Sequence, residues 1–163
     1  MPKGRTASES QLRPDPRFND RVLAKFINCV MERGKKATSQ RIIYNAMDII
    51  NEKLKKETDP AAPKEPLPVF QRAISNVKPF VEVRSKRIGG ANYQVPIQVS
   101  NKRQQALAFR WIIDAARSEK GRPMANKLAD EIFNAAKGEG KAMGTRDQTH
   151  RMAEANKAFA HFA

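Results

Sequence analysis

The chain has 163 residues, 40% hydrophobic and 29% charged, a balance that supports one packed domain and excludes a disordered polymer. Lys and Arg outnumber Asp and Glu by 31 to 17, for a formal net charge of +14, and a surplus of that size calls for a polyanionic partner, nucleic acid first. The apolar runs at 106–109 and 111–113 are too short to span a bilayer, so no membrane partner is expected.

Residues 1–18 carry almost no apolar side chains and include Pro14-Asp15-Pro16, which predicts a flexible basic arm with Lys3 and Arg5 as its first cations. No apolar export segment follows them, so the chain is expected to work in the cytoplasm where it is made. From Asn19 or Asp20 as N-cap, Val22, Leu23, Phe26, Ile27 and Val30 fall on one helical face, with Gly34 as the expected C-cap. Cys29 is expected inside this face as a small buried apolar residue, and as the sole cysteine it excludes an internal disulfide and suits a reducing compartment. A second helix starts near Thr38 and buries Ile42, Ile43, Ala46, Met47, Ile50 and Leu54, pairing with the first as a hairpin of helices.

Lys55 to Pro68 turns to Lys, Glu, Asp and four prolines, which predicts a surface loop. A third helix follows, with Leu67 or Val69, Phe70, Ile74 and Val77 inward, and stops at Pro79. The period then changes to two. Val81 and Val83 alternate with Glu82 and Arg84, and beyond Gly89-Gly90 Val95, Ile97 and Val99 alternate with Gln94, Pro96 and Gln98, predicting a two-stranded hairpin over 80–100. Pro96 cannot donate to a ladder, which leaves its strand open on one side.

A fourth helix over about 102–117 is the most apolar and is expected at the centre of the core. A fifth opens with Pro123 at its first position, buries Met124, Leu128, Ile132 and Phe133, and ends at Gly138 and Gly140. Thr145-Arg146-Asp147-Gln148 matches a capping box and is expected to start a sixth helix running toward Phe159. The predicted fold is therefore mainly α: an arm over 1–18, then one domain over 19–163 made of six helices, with a protruding two-stranded β-hairpin between the third and fourth.

Enzymatic chemistry finds little purchase. One Cys with His150 and His161 gives no metal-ligand spacing, so neither metal nor cofactor is expected. Asp48 and Glu52 stand four apart like a nuclease pair, but the adjacent Lys53, Lys55 and Lys56 describe a solvated face. Gly89-Gly90 precedes a strand and no Lys-Ser or Lys-Thr follows, so no nucleotide-cradling loop or small-molecule substrate is expected.

The cations, by contrast, come in blocks. Arg33, Lys35, Lys36 and Arg41 lie in a stretch without a carboxylate, beside Gly34, and Arg84, Lys86, Arg87, Lys102, Arg103 and Arg110 form a second such stretch. In the hairpin one face is expected to pack while Arg84, Lys86 and Arg87 project toward phosphates and Asn92 and Tyr93 offer base contact or stacking. Trp111 is expected in the core. A helix-turn-helix DNA reader over 20–54 is the competing interpretation, opposed by the apolar commitment of the second helix.

These residues also carry a resemblance. Phe26-Ile27, Gly34-Lys35-Lys36, Ile42-Ile43 and Ala46, then Val77-Lys78-Pro79, the run from Val81 to Arg87, Gly89-Gly90 and Tyr93-Gln94-Val95-Pro96, and finally the stretch from His150 to His161, resemble the bacterial-type small ribosomal subunit protein seven family from Leu12 onward. The resemblance implies a non-catalytic protein that binds the 3′ major domain of small-subunit rRNA, helps to assemble the subunit head beside neighbouring ribosomal proteins, and holds its hairpin near the exit-site tRNA and the mRNA path. It also implies RNA contact by Gly34, Lys35, Lys36, Arg84, Lys86 and Arg87, by the region of Lys102 and Arg103, and by Arg151 and Asn156. The proline-rich stretch at 58–68 looks like an insertion in that pattern.

Overall fold

The computed structural model describes residues 12–57 and 63–162. The elements run in the order α1 (Arg21–Val30), α2 (Lys36–Lys56), α3 (Pro66–Val77), β1 (Val81–Ile88), β2 (Ala91–Gln98), α4 (Asn101–Ser118), α5 (Met124–Lys137) and α6 (Lys141–Ala155), followed by a 3₁₀ segment (Lys157–Phe162). The expected mainly helical architecture with a hairpin between the third and fourth helices is the one observed.

Asp20 caps α1, its carboxylate accepting the Leu23 N–H at 2.6 Å. Leu23, Phe26, Ile27 and Val30 are buried on the predicted face. The helix stops earlier than expected. Met31 in extended conformation is the C-cap, and Gly34, at φ +72°, instead lets the chain turn into α2, which starts two residues before Thr38. The turn is then locked from within: Ser39 is buried and its hydroxyl donates at 2.6 Å to the Ile27 carbonyl, a second donor beside the Met31 N–H. Cys29 is exposed, contrary to expectation, because its place on α1 lies off the buried stripe. The nearby α4 surface still desolvates the thiol enough to hold its pKa above the ordinary value.

The expected arm over 1–18 is anchored at its end. Asp15 is buried, and its carboxylate accepts the N–H groups of Arg17 and Phe18 and the hydroxyl of Tyr44 on α2, while Phe18 and Tyr44 pack ring to ring. Lys3 and Arg5 lie outside the described residues. So does Pro60 of the proline-rich stretch, whereas Pro66 and Pro68 stand in the first turn of α3 rather than in a loop. The first helical turn needs no N–H donor from them, so prolines start this helix instead of barring it.

One apolar cluster joins all six helices, and its centre is α5 rather than α4, where it was expected. Ala125, Ala129, Ala135 and Ala136 let α5 approach closely and pack on α2, α3, α4 and α6. Pro123 is the N-cap of α5 and Gly138, at φ +85°, its C-cap. Leu128 and Ile132 are buried while Met124 and Phe133 are only partly so. Trp111 leans on the same cluster as expected.

The start of α6 departs most from the sequence pattern. The helix begins at Lys141, so Thr145 lies inside it and hydrogen-bonds back to the Lys141 carbonyl instead of capping. Its cap comes from another helix: buried Glu131 of α5 accepts the Ala142 N–H at 2.7 Å, although desolvation keeps that carboxyl above its usual pKa. Gly140 makes room for it, with φ +99° and ψ 174° and a position where a Cβ would stand 2.9 Å from Glu131 Oε1. Gly140→Ala is therefore expected to cost about 1–3 kcal/mol in urea unfolding, since this backbone region is nearly closed to other residues.

Candidate nucleic-acid interface

The first cationic block surrounds the turn between α1 and α2. Arg33, Lys35 and Arg41 are exposed and have no ion-pair partner among the described residues, and Lys36 donates only to Asn28 Oδ1 at 2.5 Å. Arg33 itself takes φ +50°, so two successive left-handed residues, Arg33 and Gly34, throw the basic side chains outward. Beside them a shallow cavity of about 310 Å³ is lined by Lys35, Thr38, Ser39 and Arg117, and a second, lined by Cys29, Arg110 and Arg117, adjoins it through the shared arginine. Lys35 and Arg110, 75 positions apart in the chain, are thereby brought to neighbouring concavities. Arg117 is partly neutralised by Glu32 at 2.8 Å.

The hairpin behaves differently from its sequence pattern. Directly paired residues share a face, and the register sets Glu82 opposite Ile97, Arg84 opposite Val95, Lys86 opposite Tyr93 and Arg87 opposite Asn92. Arg84 and Lys86 therefore share one face with Tyr93, while Arg87 and Asn92 are on the other, and the three cations do not project together. On β1 the packed face is the reverse of the expected one, while on β2 Val95 is buried as expected. Glu82 and Val95 are buried, whereas Val81 and Val83 are only half-buried.

The reason is an ion-pair node. Glu82 accepts Arg84 at 2.5 Å and Arg103 of α4 at 3.1 Å, tying the root of β1 to the first turn of α4. Burial alone would lift the Glu82 carboxyl, but the hydrogen bonds from Arg103 and Arg84 outweigh it and hold the pKa below the carboxylate range. A depressed acid stabilises the fold while ionised, so this contribution is present above the ordinary value of 4.5 and is lost as pH falls through the lower folded value. Glu82→Gln is expected to cost about 1–2 kcal/mol at pH 7, a moderate figure because both guanidinium groups keep solvent contact. Thermal melts of the variant should also lose the part of the acid sensitivity that Glu82 supplies.

Other expected contacts are differently placed. Lys102 is exposed in the first turn of α4, and Arg110 is exposed one helical flank away. Arg151 is exposed on α6 and bonds the Asp147 carbonyl, while half-buried Asn156 caps the end of α6 by donating its side-chain amide to the Met152 carbonyl at 2.8 Å. Asp48 is taken by Arg17 at 2.5 Å, which accounts for that carboxylate as an ion-pair partner. No group of three or more metal-capable side chains occurs among the described residues, and no helix there is long and apolar enough to cross a membrane.

A helix-turn-helix reader does not match this geometry. Ile43, Ala46, Met47 and Ile50 of α2 are buried and the helix packs on α1, α3 and α5, so much of its surface is committed to the core. Sequence reasoning missed Glu82 as the organiser of the hairpin root and missed Phe159 and Phe162, whose rings lie against Tyr93. The i, i+3 spacing of those two phenylalanines was the available signal.

A cation-rich helical body with a basic hairpin, and no cluster of metal-capable side chains among the described residues, is the form of a nucleic-acid-binding protein. Residues 2–157 match the family model described as ribosomal protein S7p/S5e. The chain is 54% identical over 158 residues to the small ribosomal subunit protein uS7 of Rhodopirellula baltica, covering 97% of each. It is 53% identical over 158 residues to that of Thermotoga maritima, again 97% of each, and 50% identical over 162 residues to that of Anaeromyxobacter dehalogenans, 99% of each. The chain belongs to the ribosomal protein S7p/S5e family, whose members are structural, non-enzymatic components of the ribosome.

Proposed function

We propose that the chain binds the 3′ major domain of small-subunit rRNA and nucleates assembly of the subunit head, with its hairpin near the exit-site tRNA and the mRNA path. It works in the cytoplasm as part of the ribosome, beside other small-subunit proteins. The observation that carries the reading is the exposed, unneutralised block of Arg33, Lys35 and Arg41 on a turn fixed by Ser39, within a chain of this family. Phosphates supply affinity through counterion release, and the shape of the folded RNA supplies most of the specificity. Gly34, Lys36, Arg87, Lys102 and Arg110 extend the contact surface along the body and the free face of the hairpin. Arg84, Arg103 and Lys86 reach RNA only with the charge or groups their protein partners leave available, and Arg151 adds a cation from α6. Lys3 and Arg5 extend it from the arm, and Asn92, Tyr93 and Asn156 add polar contacts.

The test is a competition titration. A folded fragment of the rRNA domain should displace a labelled copy of itself at least a hundredfold more effectively than duplex DNA of equal charge. Equal competition by the DNA would overturn the assignment in favour of a general polyanion binder.

A further inference from the structure

Beyond phosphate contact, we propose that the C-terminal 3₁₀ segment and β2 together build an aromatic pad on which unpaired bases of single-stranded RNA stack. The pad rests on the RNA-binding reading given above and names a ligand for one part of it. Tyr93 lies 5.2 Å from Phe159 and 5.4 Å from Phe162, and the two phenylalanine rings stand 6.4 Å apart within 14° of parallel. His161 adds a ring 4.0 Å from Phe162.

None of the four belongs to the apolar cluster that holds the helices together, and the 3₁₀ segment buries no residue at all. These rings dock the segment on β2, yet each retains solvent, which leaves ring surface open to a ligand. Their surroundings indicate one. Lys86 stands at the pad, its ammonium donating to the Phe162 carbonyl at 2.5 Å, and Lys157 is exposed at the start of the segment, with Glu154 opposite it at 3.4 Å. Partly exposed rings beside cations are what a single strand uses: the rings take base faces and the cations follow the backbone, with little regard for base identity. The elements also suit the task, because β2 presents Tyr93 from a two-stranded finger while the segment brings its rings from the far end of the chain.

The decisive experiment compares a single-stranded oligouridylate with an abasic ribose-phosphate oligomer of equal length, titrated against the full chain and a Phe159→Leu, Phe162→Leu variant. Leucine keeps apolar contact with Tyr93 but has no π-face, so the segment stays docked while the pad is lost. The expected result is about a tenfold loss of affinity for the oligouridylate, the scale of one stacked base, with affinity for the abasic strand unchanged. Tyr93→Leu should give the same pattern, and Phe159→Trp with Phe162 retained should keep wild-type affinity.

Equal affinity of wild type and variant for oligouridylate would overturn the proposal and leave the rings as anchors of the segment only. A gain of affinity would overturn it as well, in favour of a segment that covers the hairpin. Binding of folded rRNA by the same wild-type sample separates the two levels of inference. If folded rRNA binds and the base-dependent term is missing, the pad is wrong and the ribosomal reading stands, whereas failure to bind either RNA removes both.

Discussion

Replacing Lys35 and Lys36 together with Ala is expected to weaken binding of folded small-subunit rRNA about 30-fold at 0.1 M salt, and to flatten the dependence of log affinity on log salt by about 1.5. Each lysine that neutralises one phosphate contributes about 0.7–0.9 to that slope through released counterions, and the lost affinity at a given salt follows from the lost slope. The two side chains have little other work. Lys35 is exposed without an ion-pair partner among the described residues, and the single bond of Lys36, to Asn28, is at the surface. Thermal stability should therefore stay within about 0.5 kcal/mol of wild type, so that weaker binding cannot be charged to unfolding. A slope that does not move would take both lysines out of the interface.

The largest loss of stability is expected from Phe26→Ala, about 3–5 kcal/mol in denaturant unfolding. Phe26 is fully buried on α1, with its ring centre 5.2 Å from both Phe70 of α3 and Phe109 of α4, so one side chain joins three helices. Truncation removes the transfer energy of the ring and leaves a cavity that two further aromatic rings cannot collapse to fill without moving their helices. Its functional consequence is indirect but large. α1 carries the turn that displays Arg33 and Lys35, and α4 carries Arg103 and Arg110, so loosening their common contact should lower rRNA affinity near the melting temperature well before it does so in the cold. Phe26→Leu, which retains most of the volume, should cost less than half as much.

The order of elements was legible because each announces itself by period: three and four in the helices, two in the strands, with Gly and Pro between them. The positions of Asp20, the Gly89-Gly90 turn and Gly138 were readable for the same local reason. Where local signals competed, the structure chose otherwise. Thr145 to Gln148 has the letters of a capping box, yet α6 starts at Lys141 because Glu131, ten positions earlier, reaches Ala142 across the space Gly140 leaves open. No window of sequence around residue 145 contains that carboxylate's position.

The interface divides in the same way. That the cations cluster in blocks without carboxylates, and that a hairpin projects among them, follows from the order of residues alone, since charge and strand period are properties of short segments. Which cations remain available is a matter of pairing in space. Glu82 looks like a solvent residue in an alternating strand, but burial beside Arg103 turns it into a clamp on Arg84, and the ladder register sends Arg87 to the opposite face. Tyr93 meets Phe159 and Phe162 only because the chain end returns to the hairpin. Composition and periodicity thus determined a basic, mainly helical chain with a finger, suited to nucleic acid, because those depend on neighbours in sequence. The tertiary structure alone decided which of its charges and rings face outward, because burial and ion pairing depend on groups that meet only after folding.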